Sequence, residues 1–110
     1  MGLGNKGFFT IFLKCYDKIV SVGSGHFEAG QSYNSERVDT LIQLLNNPLN
    51  IKKDGYTSFK DSDYWIILGD LNFRIELSYE NAVSLIKEKN YEFLYGMDQI
   101  NFALKNNKFL

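Results

Sequence analysis

The 110-residue chain has little of several residue types on which common classes of protein depend. It contains one proline, one histidine and one cysteine, Cys15. A single cysteine excludes an internal disulfide, which fits a reducing compartment. The formal net charge is −1 and the isoelectric point is near 5.8, so no global positive field draws the chain to nucleic acid or anionic lipid. Any anion that it binds must therefore be held by local groups.

Long apolar runs and targeting patterns are also missing. The sequence has no stretch of about 18 consecutive apolar residues and no cationic leader followed by an apolar segment. We therefore expect a cytoplasmic protein, and we expect any contact with membranes to be peripheral.

The residues that are present are those of a globular domain. Hydrophobic residues make up 45% of the chain and aromatic residues 15%, which is enough for one core in a chain of this length. Two β-rich runs, residues 8–13 and 19–22, are predicted to form a hairpin with its turn at Tyr16-Asp17. The spacing of apolar residues over 33–45 predicts an amphipathic helix that ends before "NNPLN".

The second half of the chain continues the alternation of strands and helices. The pair Asp54-Gly55 is a turn signal, and it precedes the apolar run 64–68, which predicts a buried strand. Ser78 is a candidate cap for a helix that continues to about residue 89, and another helical pattern covers 98–104. Strand and helix alternate without repeats, which favours an α/β or α+β arrangement.

The opening "GLGNKG" at residues 2–7 satisfies the dinucleotide-binding pattern G-x-G-x-x-G. That pattern is meaningful only between a strand and a helix, and here a β-rich run follows it. We instead interpret it as a glycine-loosened loop in which backbone N–H groups, Asn5 and Lys6 approach an anion. An ordinary flexible loop is the alternative.

Polar side chains follow the ends of two predicted strands. His26 comes after the second β-run, and Asp70 and Asn72 follow the apolar run 64–68. Ligand sites of sheet proteins gather at one end of the strands, and residues at i and i+2 of an extended chain point the same way. A carboxylate beside a carboxamide is suited to holding a water molecule while donating a hydrogen bond to a phosphate oxygen. A structural histidine and a plain "GDLN" turn are the alternatives.

Four motifs in a fixed order carry a resemblance to a known family. They are "GNKG" at 4–7, "GHFEAGQSYNSER" at 25–37, "YWIILGDLNFRIE" at 64–76 and "DQI" at 98–100. The set resembles the inositol polyphosphate 5-phosphatases, most closely their synaptojanin-like branch, within the endonuclease/exonuclease/phosphatase superfamily. The resemblance covers essentially the whole chain.

This resemblance implies a fold and an activity. The expected fold is a fragment of the four-layer α/β/β/α sandwich of the superfamily, with residues 1–110 as the central part of a catalytic domain truncated at both ends. The expected activity is Mg²⁺-dependent hydrolysis of the 5-phosphate of phosphoinositides or soluble inositol polyphosphates, with no nucleic acid as partner.

The resemblance also implies roles for individual residues. Asp70 matches the carboxylate that orients or deprotonates the attacking water, and Asn72 matches the amide that binds the scissile phosphate. His26 matches the histidine that donates to the phosphate. Asn5 and Lys6 match a substrate-binding loop.

Two further matches are expected to be structural, and the metal ligands stay unassigned. Arg74 is expected to hold its loop, and Asp98 is expected to hold the start of a helix. The resemblance places the principal Mg²⁺-binding glutamate upstream of "GNKG", outside the matched motifs, so no metal ligand is assigned.

Other functions compete with hydrolysis of inositol phosphates. One is a non-catalytic fragment or interaction module that lacks the full metal site, and another is a nuclease of the same superfamily. If only part of a sandwich is present, apolar faces meant for absent strands are exposed, and we also expect aggregation or self-association through exposed sheet edges.

Overall fold

The structure, a computed structural model, describes residues 5–106, which form a three-stranded mixed sheet, a two-stranded sheet and four helices, and the first helix packs on one face of the larger sheet. The predicted mixture of strands and helices is therefore present. The strands are β1 (Gly7–Cys15), β2 (Lys18–His26), β3 (Pro48–Lys53), β4 (Tyr56–Ser58) and β5 (Tyr64–Asp70). The helices are α1 (Asn34–Leu45), α2 (Tyr79–Lys87), α3 (Tyr91–Gly96) and α4 (Gln99–Asn106), with a 3₁₀ turn at Phe59–Asp61.

The predicted hairpin is confirmed and is longer than the two apolar runs indicated. Strands β1 and β2 pair antiparallel from Gly7 opposite His26 to Cys15 opposite Lys18. Tyr16 takes a left-handed conformation with φ of 56°, which closes the tight turn between the strands.

Strand β5 adds to the other side of β2 in parallel, so the sheet order is β1-β2-β5. A parallel pair needs a crossover, and α1 lies within the segment that supplies it. The register pairs His26 with Asp70, so the two strands finish at the same edge of the sheet.

The core lies between α1 and one face of this sheet. The predicted helix is confirmed, and its apolar side buries Leu41, Leu44 and Leu45. Gly23 lets the helix approach closely, because a Cβ there would lie 3.0 Å from a methyl carbon of Leu44. The remaining buried members of the cluster are Phe27, Phe59 and Ala103.

The prediction of a fully buried strand over 64–68 is wrong. Tyr64, Ile66 and Leu68 are 64%, 51% and 54% exposed, whereas Trp65 and Ile67 pack against the core. The cause is that, among residues 5–106, the cluster packed around α1 covers one face of the sheet and leaves these alternate side chains of β5 in solvent.

The helix predicted from Ser78 is confirmed, since the Ser78 hydroxyl oxygen accepts a hydrogen bond from the backbone N–H of Asn81. This helix has no buried residue, and Ile86 on it is 52% exposed. The last predicted helix is confirmed as α4. No helix among the described residues is long and apolar enough to cross a membrane.

Three short elements were not predicted. Strands β3 and β4 flank the expected turn at Asp54-Gly55, where Gly55 has a positive φ of 83°. Helix α3 has six residues and is capped by Asn90, whose side chain accepts from the N–H of Phe93.

Candidate functional site

The ends of β2 and β5 bring His26 and Asp70 side by side. Residues paired in register on neighbouring strands project to the same face of the sheet, and both of these residues are exposed. The backbone N–H of Phe27 donates to the carbonyl of Asp70 at 3.0 Å and continues the pairing beyond the strand ends. The register therefore places the two residues next to each other at one edge of the sheet.

Asn72 reaches the same place by a different backbone route from the one expected. Its φ is 56°, so the extended geometry assumed for Asp70 and Asn72 is wrong. The carboxylate of Asp70 accepts from the backbone N–H of Asn72 at 3.1 Å, which stabilises a tight turn. The Asn72 side-chain amide then donates to the carbonyl of Phe27 at 2.9 Å. The turn therefore folds the carboxamide back against the loop that follows His26.

Arg74 and Asp98 have the structural roles that were expected. The guanidinium of Arg74 donates to the backbone carbonyl and to the side-chain oxygen of Asn72, both at 3.0 Å, and so fixes the orientation of that amide. The carboxylate of Asp98 accepts from the N–H of Ile100 at 2.9 Å at the start of α4.

Asn5 and Lys6 lie against His26. The ammonium of Lys6 is 2.7 Å from Nε2 of His26, and Nδ1 is 3.1 Å from the carbonyl of Asn5. An ammonium group has only donors, so Nε2 must accept and the ring proton is assigned to Nδ1. Gly2 and Gly4 of the "GLGNKG" motif lie outside the described residues, and the strand β1 follows directly at Gly7.

The described residues do not assemble a metal centre by themselves. Within residues 5–106, no group of three or more His, Cys, Asp or Glu side chains is placed to hold a metal ion. A divalent cation needs several oxygen ligands, so Asp70 alone does not fit a complete site. No step of the chemistry is therefore assigned to a metal.

Sequence reasoning missed two buried polar residues behind the site, Arg37 and Gln99. Burial, and then the nearby charge of Arg74, lower the pKa of the Arg37 guanidinium. One signal was available in the sequence, because Arg37 occupies the same helical face as Leu41 and Leu44, where an apolar residue is the norm.

Comparison with known proteins identifies the family. The chain matches the Endonuclease/Exonuclease/phosphatase family 2 over residues 1–110. It belongs to this family.

Relatives within this family carry the names that the motifs indicated. The chain is 31% identical over 97 residues to human synaptojanin-1, covering 88% of the chain and 6% of that protein. It is 31% identical over 110 residues to mouse inositol polyphosphate 5-phosphatase K, covering 97% of the chain and 23% of that protein. The predicted resemblance is thereby confirmed.

A solved structure of the family has the same fold. It is the inositol polyphosphate 5-phosphatase domain of SPsynaptojanin in complex with inositol (1,4)-bisphosphate and a calcium ion. The TM-score is 0.71 at 29% identity, over 94% of this chain and 30% of that one. This match confirms the predicted fold class, and the chain spans less than a third of that domain's chain.

Proposed function

We propose that this chain carries part of a phosphate-cleaving site that removes the 5-phosphate from phosphoinositides or soluble inositol polyphosphates. The observation that carries the proposal is the junction of β2 and β5, where His26 and Asp70 are paired in register and the side-chain amide of Asn72 donates to the carbonyl of Phe27. The names of the relatives support this substrate class, and they favour it over a non-catalytic module.

The site's chemistry follows from the charge that develops during hydrolysis. Cleavage of a phosphate ester concentrates negative charge on the non-bridging oxygens and the leaving oxygen, so hydrogen-bond donors must be preorganised around them. Asp70 orients the attacking water and accepts its proton, while Asn72 contributes an amide near the phosphate. Lys6 supplies a positive charge at the same edge of the sheet.

Substrate binding must rearrange the contact between Lys6 and His26. Nε2 of His26 accepts from the Lys6 ammonium, so it has no proton to donate in this arrangement. We propose that the phosphate displaces the imidazole as the partner of Lys6. The imidazole is then released to take up a proton and donate to a phosphate oxygen.

The requirement for Mg²⁺ is also a proposal. The solved relative holds a calcium ion, which supports a divalent cation in the family. Within residues 5–106 no group of three or more His, Cys, Asp or Glu side chains is placed to hold a metal ion, so we propose that further ligands come from outside these residues. We also propose peripheral contact with phosphoinositide-containing membranes, because the proposed substrates include phosphoinositides, and a cytoplasmic location, which fits the single cysteine.

Phosphate release from a 5-phosphorylated phosphoinositide in the presence of Mg²⁺ tests the proposal. Loss of a general base lowers the rate by about 10²- to 10⁴-fold. The rate of phosphate release by Asp70→Asn is therefore expected to fall by that factor. Asp39→Asn, the same change at an exposed position of α1, is expected to match the wild type. No release by the wild type, or equal release by Asp70→Asn, would remove the proposal.

A further inference from the structure

A buried guanidinium group lies behind the loops that carry the proposed catalytic residues. Arg37 is fully buried on the inner face of α1. One of its terminal nitrogens donates to the carbonyl of Glu28 at 2.8 Å and to the carbonyl of Gly30 at 2.7 Å. Both acceptors belong to the loop that follows His26, so Arg37 holds that loop from beneath.

Gln99, at the start of α4, connects this guanidinium to the loop that follows Asp70. Its side-chain oxygen accepts from the second terminal nitrogen of Arg37 at 2.7 Å and from the backbone N–H of Arg74 at 2.9 Å. Its amide nitrogen donates to the carbonyl of Gln31 at 3.4 Å and to the carboxylate of Glu76. One buried amide group therefore contacts both loops.

The arrangement is energetically costly. The hydrogen bonds described for Arg37 go to two carbonyls and an amide oxygen, and its Nε has no hydrogen-bond partner. In addition to these hydrogen bonds, the guanidinium carbon of Arg37 lies 5.8 Å from the centre of the Phe73 ring. A buried charge without a carboxylate partner costs free energy, and an apolar side chain of similar volume often replaces such a group without loss of stability. Stability alone is therefore a poor explanation for an arginine here.

We infer that Arg37 and Gln99 are positioning residues that hold the loop after His26 in register with the loop after Asp70. The inference rests on the proposed function, because the groups that are positioned are those proposed to act on the phosphate.

The two loops also touch directly, since the rings of Phe27 and Phe73 lie edge to face with their centroids 6.4 Å apart, and the connection through Arg37 and Gln99 adds to these direct contacts. Among the described residues, Phe27 and Asp70 share a backbone hydrogen bond, Asn72 donates to Phe27, and the side chain of Gln31 donates to the carbonyl of Ile75 at 2.9 Å. A misplacement of about 1 Å at a catalytic group can lower a rate by about 10²-fold. A rigid polar connection beneath the loops limits such a displacement.

Hydrogen exchange of the full chain tests the inference without requiring activity. The variants are Arg37→Lys, which cannot present the planar fork of donors, and Gln99→Met, which lacks the shared oxygen. The reporters are the amide protons of Phe27 and Arg74, compared with the amide protons of strand β2. We expect both variants to speed exchange at the two reporters by about tenfold or more relative to β2.

Leu45→Ala is the matched control, because it removes buried volume from the same core and has no hydrogen bond to either loop. It is expected to speed exchange at the reporters and in β2 by the same factor. If Arg37→Lys and Gln99→Met behave like Leu45→Ala, the two residues only stabilise the core and the inference is wrong.

Kinetics supply a second readout that separates this inference from the proposed function. Per folded molecule, Arg37→Lys is expected to lower kcat for the phosphoinositide by about tenfold to 10²-fold while KM changes by less than about twofold. An unchanged kcat per folded molecule would contradict a positioning role. If the wild type releases no phosphate, the proposed function fails for this chain, and the exchange experiment alone decides the inference.

Discussion

The carboxylate of Asp61 accepts four hydrogen bonds, from the hydroxyl groups and the backbone N–H groups of Thr57 and Ser58. The hydroxyl of Thr57 contributes most, and together the four donors lower the pKa of Asp61 to about 2. Its ionised form therefore adds stability that is fully present above the unfolded value of about 3.9 and is lost as the pH falls through about 2.

We expect Asp61→Asn to lower the free energy of unfolding at neutral pH by about 1 kcal/mol, after allowance for solvent screening. The variant should also lose part of the decrease in stability that the wild type shows between about pH 4 and about pH 2. Urea unfolding across this pH range measures both effects. Asp54→Asn, an exposed carboxylate in the neighbouring turn, is the control. Parallel pH profiles for wild type and Asp61→Asn would contradict the assignment.

Individual site residues were predictable to different degrees. His26 and Asp70 were found because polar residues directly after apolar runs stand at the ends of strands, and the register of β2 and β5 places them side by side. The backbone of Asn72 was not predicted, because its left-handed φ depends on hydrogen bonds to Asp70 and to the loop after His26. Arg37 was missed although it shares the helical face of Leu41 and Leu44, because charged side chains are rarely fully buried.

At the level of single elements, the end of β5 depends on Gly69. Its φ is 111°, and a Cβ there would lie 2.1 Å from the carbonyl oxygen of Gly25 on β2. A side chain at this position therefore combines backbone strain with a collision between two strands. The collision falls one residue before the pair formed by His26 and Asp70.

We expect Gly69→Ala to lower the free energy of unfolding by about 3 kcal/mol or more, since strain and steric overlap add. Gly55→Ala is the matched control, because Gly55 also has a positive φ, of 83°, but a Cβ there would meet nothing within 4 Å. Its expected cost is about 1 kcal/mol, from strain alone. Equal losses for the two variants in urea unfolding would show that the close approach to Gly25 is unimportant.

Elements with a long periodic pattern were predicted, and short ones were not. Helix α1 repeats its apolar residues over about two turns, and α2 begins at a capping serine, so both are recognisable locally. Strands β3 and β4 lie in a polar segment, and α3 has only six residues. None of these three elements therefore shows a long apolar pattern in the sequence.

The burial of β5 shows what sequence periodicity leaves undetermined for the whole molecule. A continuous apolar run is typical of a strand covered on both faces. Among residues 5–106, however, the core cluster covers one face only. The apolar run of β5 indicates that a second layer must cover the strand, but it does not identify which chain provides that layer. In the solved relative, this chain corresponds to only 30% of the residues.

The uncovered face is continuous across the three-stranded sheet, and its three central rows contain no charged side chain, while Lys18, His26 and Asp70 lie at its two ends. The register aligns Ile11 with Val22 and Val22 with Ile66, and the neighbouring rows extend the same face. Its six most exposed large side chains are 48–64% exposed: Phe9, Ile11, Leu13, Tyr64, Ile66 and Leu68. Together they expose on the order of 500 Å² of apolar surface, which lies in the range where the largest patch of a protein is often functional.

We expect this chain to pair with a second copy of itself through the uncovered face. Two such faces would bury on the order of 1,000 Å², which reaches the lower limit for a specific interface. Ile66→Lys places a charge at the centre of the contact and should shift the chain to monomer.

Ile86→Lys is the control, because Ile86 is equally exposed, at 52% against 51%, but lies on α2. Sedimentation velocity from about 1 to about 100 μM measures the association. A monomeric wild type over this range, or an Ile66→Lys variant that associates as strongly as Ile86→Lys, would rule out the paired face.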